Sequence, residues 1–262
     1  IDPIAVRLFY QNQPAGFDID RLVVANARLY KTMSQNTRGT IDEENYNQME
    51  ERSTQEMKQL KQHLLELDEV AYVSFLDDIE SYPRMDNLYT SIPLPNDTIT
   101  VLWCYFDIGQ DFFETFGIQP LPGSPSQHDL SMNTGGGRSL ILTRSLAERM
   151  YGSAEAAIGK NFDSGWTYGE NKTSIIYTIL GVVEDVGART DEYSTWMAFS
   201  PNGWFSNNNQ QMARLVIRLK PEVNMQRFVE EQTYRTRELA SEHYVICEFF
   251  PYVDAAKNTD SV

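Results

Sequence analysis

Two cysteines and three histidines are all that this chain of 262 residues offers to thiol and imidazole chemistry. That scarcity excludes a disulfide framework or a cysteine-rich zinc site as the source of its stability. Neither is needed, because a chain of this length has room for one large or two modest hydrophobic cores. Cys104 and Cys247 each lie in an apolar, strand-like run (TVLWCYFDIG and YVICEFFPY), and their spacing matches no metal motif. Two buried free thiols are the favoured reading over a disulfide, a choice that only the distance between their Cα atoms can settle. Also lacking are any run of about 18 apolar residues, the length that spans a bilayer, and any basic and apolar secretory leader. The chain opens on Ile1 rather than Met, so it reads as a piece excised from a longer protein.

Positive charge is scarce too. The 22 basic residues face 37 acidic ones, for a formal charge of -15, which repels nucleic-acid phosphates and anionic lipid head groups. Nucleic acid is not an expected partner, and the excess carboxylates serve to keep the surface solvated.

Catalytic signatures are missing as well. Gly135, Gly136 and Gly137 could cradle a phosphate if a helix followed, but no Gly-Lys-Ser/Thr comes next and the following segment reads as a strand. They are read as a flexible turn. His63, His128 and His243 fall in a helix, a loop and a helix-to-strand junction, without the close spacing of a metal site. No Gly-x-Ser-x-Gly elbow is present. The neighbours Asp77, Asp78, Glu184 and Asp185 are no more than 37 acids would bring together by chance. No residue is therefore assigned to catalysis, to a cofactor or to a metal, and an enzyme is not expected. Trp204 and Phe205 stand out for a different reason: they form an aromatic pair among asparagines in PNGWFSNNNQQ. Aromatics rimmed by polar residues suit a partner contact, the competing reading being that they pack on the domain's own edge.

What is present is periodicity. Residues 21–30 (RLVVANARLY) have a strand's pattern, and 31–47 read as a loop. Over 48–67 the apolar Met57, Leu60, Leu64 and Leu67 recur at threes and fours, as on an amphipathic helix, and 70–76 (VAYVSFL) are a second strand. A passage rich in Pro, Asp and Asn at 77–97 reads as a connection. Beyond it come a strand at 98–108, a short helix at 110–116 stopped by Gly117, and a loop over 120–137. A strand at 140–143, a helix at 144–151 closed by Gly152 and a strand at 175–184 complete the middle of the chain. The last third repeats the first: a strand at 213–219 with Leu215, Ile217 and Leu219 alternating, a helix at 224–241 with Met225, Phe228 and Val229 inward, and a strand at 244–250. The pattern predicts an α+β fold in which one domain, residues 1–97 and 191–262, is split by an inserted mixed α/β domain over 98–190.

Several short motifs recur in one order along the chain. Tyr151-Gly152 end a helix, Gly159-Lys160 make a turn, and Gly181-Val182-Val183 with Asp185 end a strand; upstream stand FDIGQDFFETFGIQPLPG, LKQHLLELDEVAYVSFLDD and GFDIDRLVVANARLY. This series resembles the periplasmic core domain of MacB-type and FtsX-like ABC transporter permeases across most of the chain. One departure is that Gly123-Ser124 replace the Gly-Arg frequent in that family. The resemblance implies a porter-like subdomain, made from the first and last thirds, carrying a small inserted subdomain, all on the periplasmic side of a bacterial inner membrane between the first and second membrane helices. It further implies a cytoplasmic ATPase reached through those helices, a second permease copy, a periplasmic partner or substrate, and work in efflux, lipoprotein or peptide handling. Force transmission asks for stiff elements rather than reactive groups. The rival expectations are a sensory or ligand-binding extracytoplasmic module and a hydrolase whose site bears no recognised motif.

Overall fold

The computed structural model describes residues 19–29, 55–56, 58–76, 89–94, 97–107, 110–132, 139–168, 173–186, 197–200, 212–235, 244–252 and 254. The fold is α+β, and the chain divides into two compact units, one of Asp20–Asp77 with Phe205–Val262 and one of Ile1–Ile19 with Asp78–Trp204. The sequence pattern placed the divisions after residues 97 and 190. They fall elsewhere because β3 (Tyr89–Leu94) pairs with β4 (Asp97–Asp107), and β8 (Met197–Ser200) with β4 and β5 (Ser139–Thr143), so these outer stretches join the middle of the chain.

The first unit is built from β1 (Leu22–Leu29), a helix α1 (58–65), β2 (Val70–Leu76), β9 (Met212–Leu219), α6 (Met225–Tyr234) and β10 (Tyr244–Pro251). Its four strands run in the order β10-β1-β9-β2, every neighbouring pair antiparallel. Each strand-helix-strand segment thus leaves a gap that a strand of the other segment fills, the split βαβ arrangement of ferredoxin-like folds. The helices supply the expected stripes, apart from Met57, which lies outside the described residues. Leu60 and Leu64 of α1 and Phe228 of α6 are buried with Val23, Ala25, Val73, Leu215, Ile217 and Phe249, while Met225, Val229 and Leu67 pack at the margin. Phe228 meets Phe249 edge to face, with ring centroids 6.4 Å apart, so its truncation removes the main anchor of α6, at a cost of about 3–5 kcal/mol. Asn224 caps that helix by accepting a hydrogen bond from the Arg227 N–H at 2.9 Å. The expected continuation to residue 241 lies outside the described residues. Lys61 buries its stem and sets its Nζ 5.7 Å from the centre of the Phe75 ring.

Over residues 22–25 β1 is buried on both faces, Leu22 and Val24 as fully as Val23 and Ala25, which accounts for the apolar run there. Asn26, which ends that run, donates from Nδ2 to Glu248 Oε1 at 2.7 Å across the pair with β10. The register there steps from Asn26↔Glu248 to Ala27↔Ile246, so Cys247 is the extra residue of a bulge. Cys104 lies on β4 of the other sheet; the side chains of both cysteines lie outside the described residues.

The second unit has a six-stranded mixed sheet in the order β3-β4-β8-β5-β7-β6, with β6 spanning Asn161–Tyr168 and β7 spanning Thr173–Val183. β4 and β8 are parallel, as are β5 and β7, and the other neighbours are antiparallel. One face packs under α4 (Arg144–Tyr151) and α5 (Ala154–Ala157), where Leu146, Ala147 and Ala157 meet Leu140, Leu142, Val182 and Ala198. The other carries α2 (Phe112–Phe116) and α3 (Gln127–Ser131). Phe112 and Phe113 sit 5.7 and 5.5 Å from Phe199, the neighbour of Ala198 that points the opposite way.

Candidate functional site

The motif residues converge on β7. Beyond Thr178 that strand has outrun β6, and its open edge is taken up by two turns. The Gly159-Lys160 turn supplies the first: the Gly159 N–H donates to the Ile179 carbonyl, and the Ile179 N–H to the Lys160 carbonyl, both at 2.8 Å. Gly159 adopts a left-handed φ of 77° here, a conformation that glycine reaches without strain. Residues 119–124 supply the second, with the Leu121 N–H donating to the Val182 carbonyl at 2.8 Å and the Glu184 N–H to the Gln119 carbonyl at 2.9 Å. Ser124 completes it. Its Oγ donates to the Val182 carbonyl and accepts from the Val182 N–H, both at 2.9 Å, so one hydroxyl does the work of a strand partner. Gly181 lets this segment approach: a Cβ there would meet Leu130 Cδ2 at 2.9 Å, Ser124 Cβ at 3.2 Å and Pro125 Cδ at 3.3 Å.

Asp185, just past the strand, caps α4 from outside the helix. Its carboxylate accepts from the Ser145 N–H at 2.8 Å and from Ser145 Oγ at 2.5 Å, where a negative charge also complements the helix dipole. The residue in the capping position, Thr143, is otherwise engaged: its Oγ1 accepts from the Met197 N–H at 3.0 Å and ties β5 to β8. Glu184 pairs with Arg144 at 2.6 Å, both side chains 43% exposed, and such a pair adds about 1 kcal/mol at most. The acidic neighbours Glu184 and Asp185 are therefore structural. Tyr151 ends α4 half-buried, and burial pushes its phenol pKa up; Gly152 closes the helix with its N–H on the Glu148 carbonyl.

The α2–α3 end of the same unit gathers polar side chains. Gly117 closes α2 in a left-handed conformation. Gln127 Nε2 then donates to the carbonyls of Ile118 at 2.7 Å and Phe113 at 3.2 Å, which pins α3 to the end of α2. Ser131 Oγ accepts from the Phe113 N–H and donates to Glu114 Oε2 at 3.0 Å. Glu114 Oε1 lies 3.5 Å from His128 Nδ1, and Asp111 completes a cluster whose donor atoms all lie within 4.8 Å of one another. Asp111 is the one non-glycine residue of positive φ among the described residues.

Trp204 and Phe205, the expected partner contact, lie outside the described residues, as do Gly135–Gly137, His243, Asp77 and Asp78. His63 is exposed on α1. His128, read from sequence as a loop histidine without the spacing of a metal site, is the one that the structure brings to carboxylates among the described histidines. The α3 helix that carries it fell inside the expected loop 120–137. Its sequence signal is Ser126-x-x-Asp129, a capping pair in which Ser126 Oγ accepts from the Asp129 N–H.

No family model and no curated protein matches this chain. Solved structures similar to it include a domain of a protein described as a permease from Porphyromonas gingivalis, at 15% identity and a TM-score of 0.47, covering 90% of this chain and 92% of that one. The periplasmic region of MacB from Actinobacillus actinomycetemcomitans is similar at 11% identity and a TM-score of 0.43, with 97% and 99% covered. The extracellular domain of the ABC-type transporter YknZ from Gram-positive bacteria is similar at 11% identity and a TM-score of 0.42, with 85% and 98% covered.

Proposed function

We propose that this chain is the extracytoplasmic domain of an ABC transporter permease subunit, and that it passes ATP-driven motion from membrane helices to substrate or to a periplasmic partner. The observation that carries this reading is the convergence on β7. The motif residues Gly159-Lys160, Gly181-Val182-Val183, Asp185 and the 119–124 segment are scattered over some 65 positions, yet all act on one strand as turn, close approach and helix cap. A set of motifs that locks strand, turns and helix together stiffens an element, which is what a force-bearing part requires. In this reading the ferredoxin-like unit is the porter-like subdomain and the six-stranded unit the insert. The ATPase subunit and a second permease copy are its partners, the inner membrane is its location, and Trp204 and Phe205 are a contact surface.

The test uses the full-length protein reconstituted in lipid with its ATPase partner and spin-labelled on exposed positions of this domain. Distances between the two copies are expected to change when ATP is added, and the isolated chain is expected to show neither binding nor hydrolysis of ATP by calorimetry and phosphate release. Distances that ignore nucleotide would refute the transmission role. A kinase or cyclase segment in the full-length protein would instead support a sensory module.

A further inference from the structure

We infer that Asp111, Glu114 and His128 form a binding site for one divalent transition-metal ion of the zinc type. The donor set is two carboxylates and an imidazole, a combination that suits zinc, cobalt or nickel better than magnesium or calcium, which prefer all-oxygen shells. Donors around a tetrahedral ion with bonds of about 2.1 Å sit about 3.4 Å apart. The Glu114 Oε1 to His128 Nδ1 separation of 3.5 Å matches that edge, and the whole set lies within 4.8 Å, so closing it requires only side-chain adjustment. Two carboxylates also balance the charge of a divalent ion.

The supports of these ligands are built to hold them. Asp111 and Glu114 stand three apart across the start of α2, and Ser131 Oγ fixes Glu114 Oε2, which leaves Oε1 turned toward His128. Ser131 is itself buried and anchored by the Phe113 N–H, the kind of outer partner that orients a ligating carboxylate. His128 follows Gln127, whose two hydrogen bonds fasten α3 to α2. Glu114 is nearly enclosed, at 9% side-chain exposure, and His128 is open, at 62%. Three protein donors with an open outer side leave the fourth position to water or to a partner's group, the arrangement of an accessible site rather than a closed structural one.

The test takes the tag-free chain, stripped with chelator, and titrates it with zinc by calorimetry and with cobalt by visible absorption. One ion per chain is expected, with cobalt d–d bands of the tetrahedral kind and no displacement by millimolar magnesium. His128→Ala and Glu114→Gln should each weaken zinc binding at least about tenfold, and Ser131→Ala about tenfold or more through loss of orientation. Because His128 is exposed, its variant keeps the fold intact and tests the site even if Glu114→Gln disturbs packing. Zinc affinity unchanged in His128→Ala, several weak equivalent ions, or the absence of cobalt bands would each overturn the assignment.

Discussion

Replacing Gly181 by alanine isolates the close approach at the centre of the six-stranded unit. Gly181 has no left-handed φ, so the backbone accepts alanine, and the loss of chain entropy from the unfolded state would by itself stabilise by about 0.4–1 kcal/mol. Against this stands the new methyl group, 2.9 Å from Leu130 Cδ2, 3.2 Å from Ser124 Cβ and 3.3 Å from Pro125 Cδ. None of the three neighbours yields easily: Leu130 is fully buried, Ser124 is held by two hydrogen bonds to Val182, and Pro125 is a ring. Overpacking of this kind costs about 1–3 kcal/mol, and three contacts that cannot relax together place the cost in the upper part of that range. The expected net effect is a loss of about 1.5 kcal/mol, or about 5 °C in Tm for a unit of this size. All four tryptophans, Trp103, Trp166, Trp196 and Trp204, belong to this unit, so intrinsic fluorescence follows its unfolding. Leu130→Ala is itself destabilising, because the side chain is fully buried, but in that background Gly181→Ala should cost less than it does in the parent, because the tightest contact is gone. A Tm unchanged or raised in Gly181→Ala would refute the reasoning.

Ser124→Ala takes away the hydroxyl that serves both polar groups of Val182; about 1–2 kcal/mol should be lost, and the Val182 amide should exchange faster with deuterium, whereas unchanged protection would mean that water replaces the hydroxyl at no cost. Asn224→Ala removes the cap of α6 and should cost about 1 kcal/mol by urea denaturation followed in far-ultraviolet dichroism, with Asn224→Asp restoring most of it; equal stability of all three proteins would deny the cap any role.

The first unit was the more legible of the two in the sequence. Leu60, Leu64 and Phe228 at helical spacing and Leu215, Ile217 and Leu219 at strand spacing mark one buried face each, and burial is what periodicity records. Strands at the margins gave less. The start of β6 alternates exposed Asn161 and Asp163 around buried Phe162, a stretch too short to tell from a polar turn, and β3 lay hidden in a stretch rich in Pro, Asp and Asn. α3 is shorter than the window in which a helical period shows and lacks the glycine stop that marked the equally short α2 at Gly117. Strand order is non-local, and no residue pattern states that β9 enters between β1 and β2. The grouping of His128 with Asp111 and Glu114 was illegible for the same reason: the turn at Gly117 and the segment bound to β7 bring α3 back onto α2, and nothing in the spacing of the ligands encodes that return.

The pairing of β1 with β10 also makes the first unit mechanically directional. Val23, near the start of β1, lies opposite Pro251, the last residue of β10, so the outer ends of these strands sit side by side on one ladder. Tension that parts those two ends loads the hydrogen bonds one at a time and unzips the pair from Val23 inward, past Asn26 to the bulge at Cys247. Movement of both ends together loads the ladder as a block. The pair therefore yields to forces that part those two ends and resists movement of both ends together, so in the transmission role proposed above the unit would act by tilting as a block.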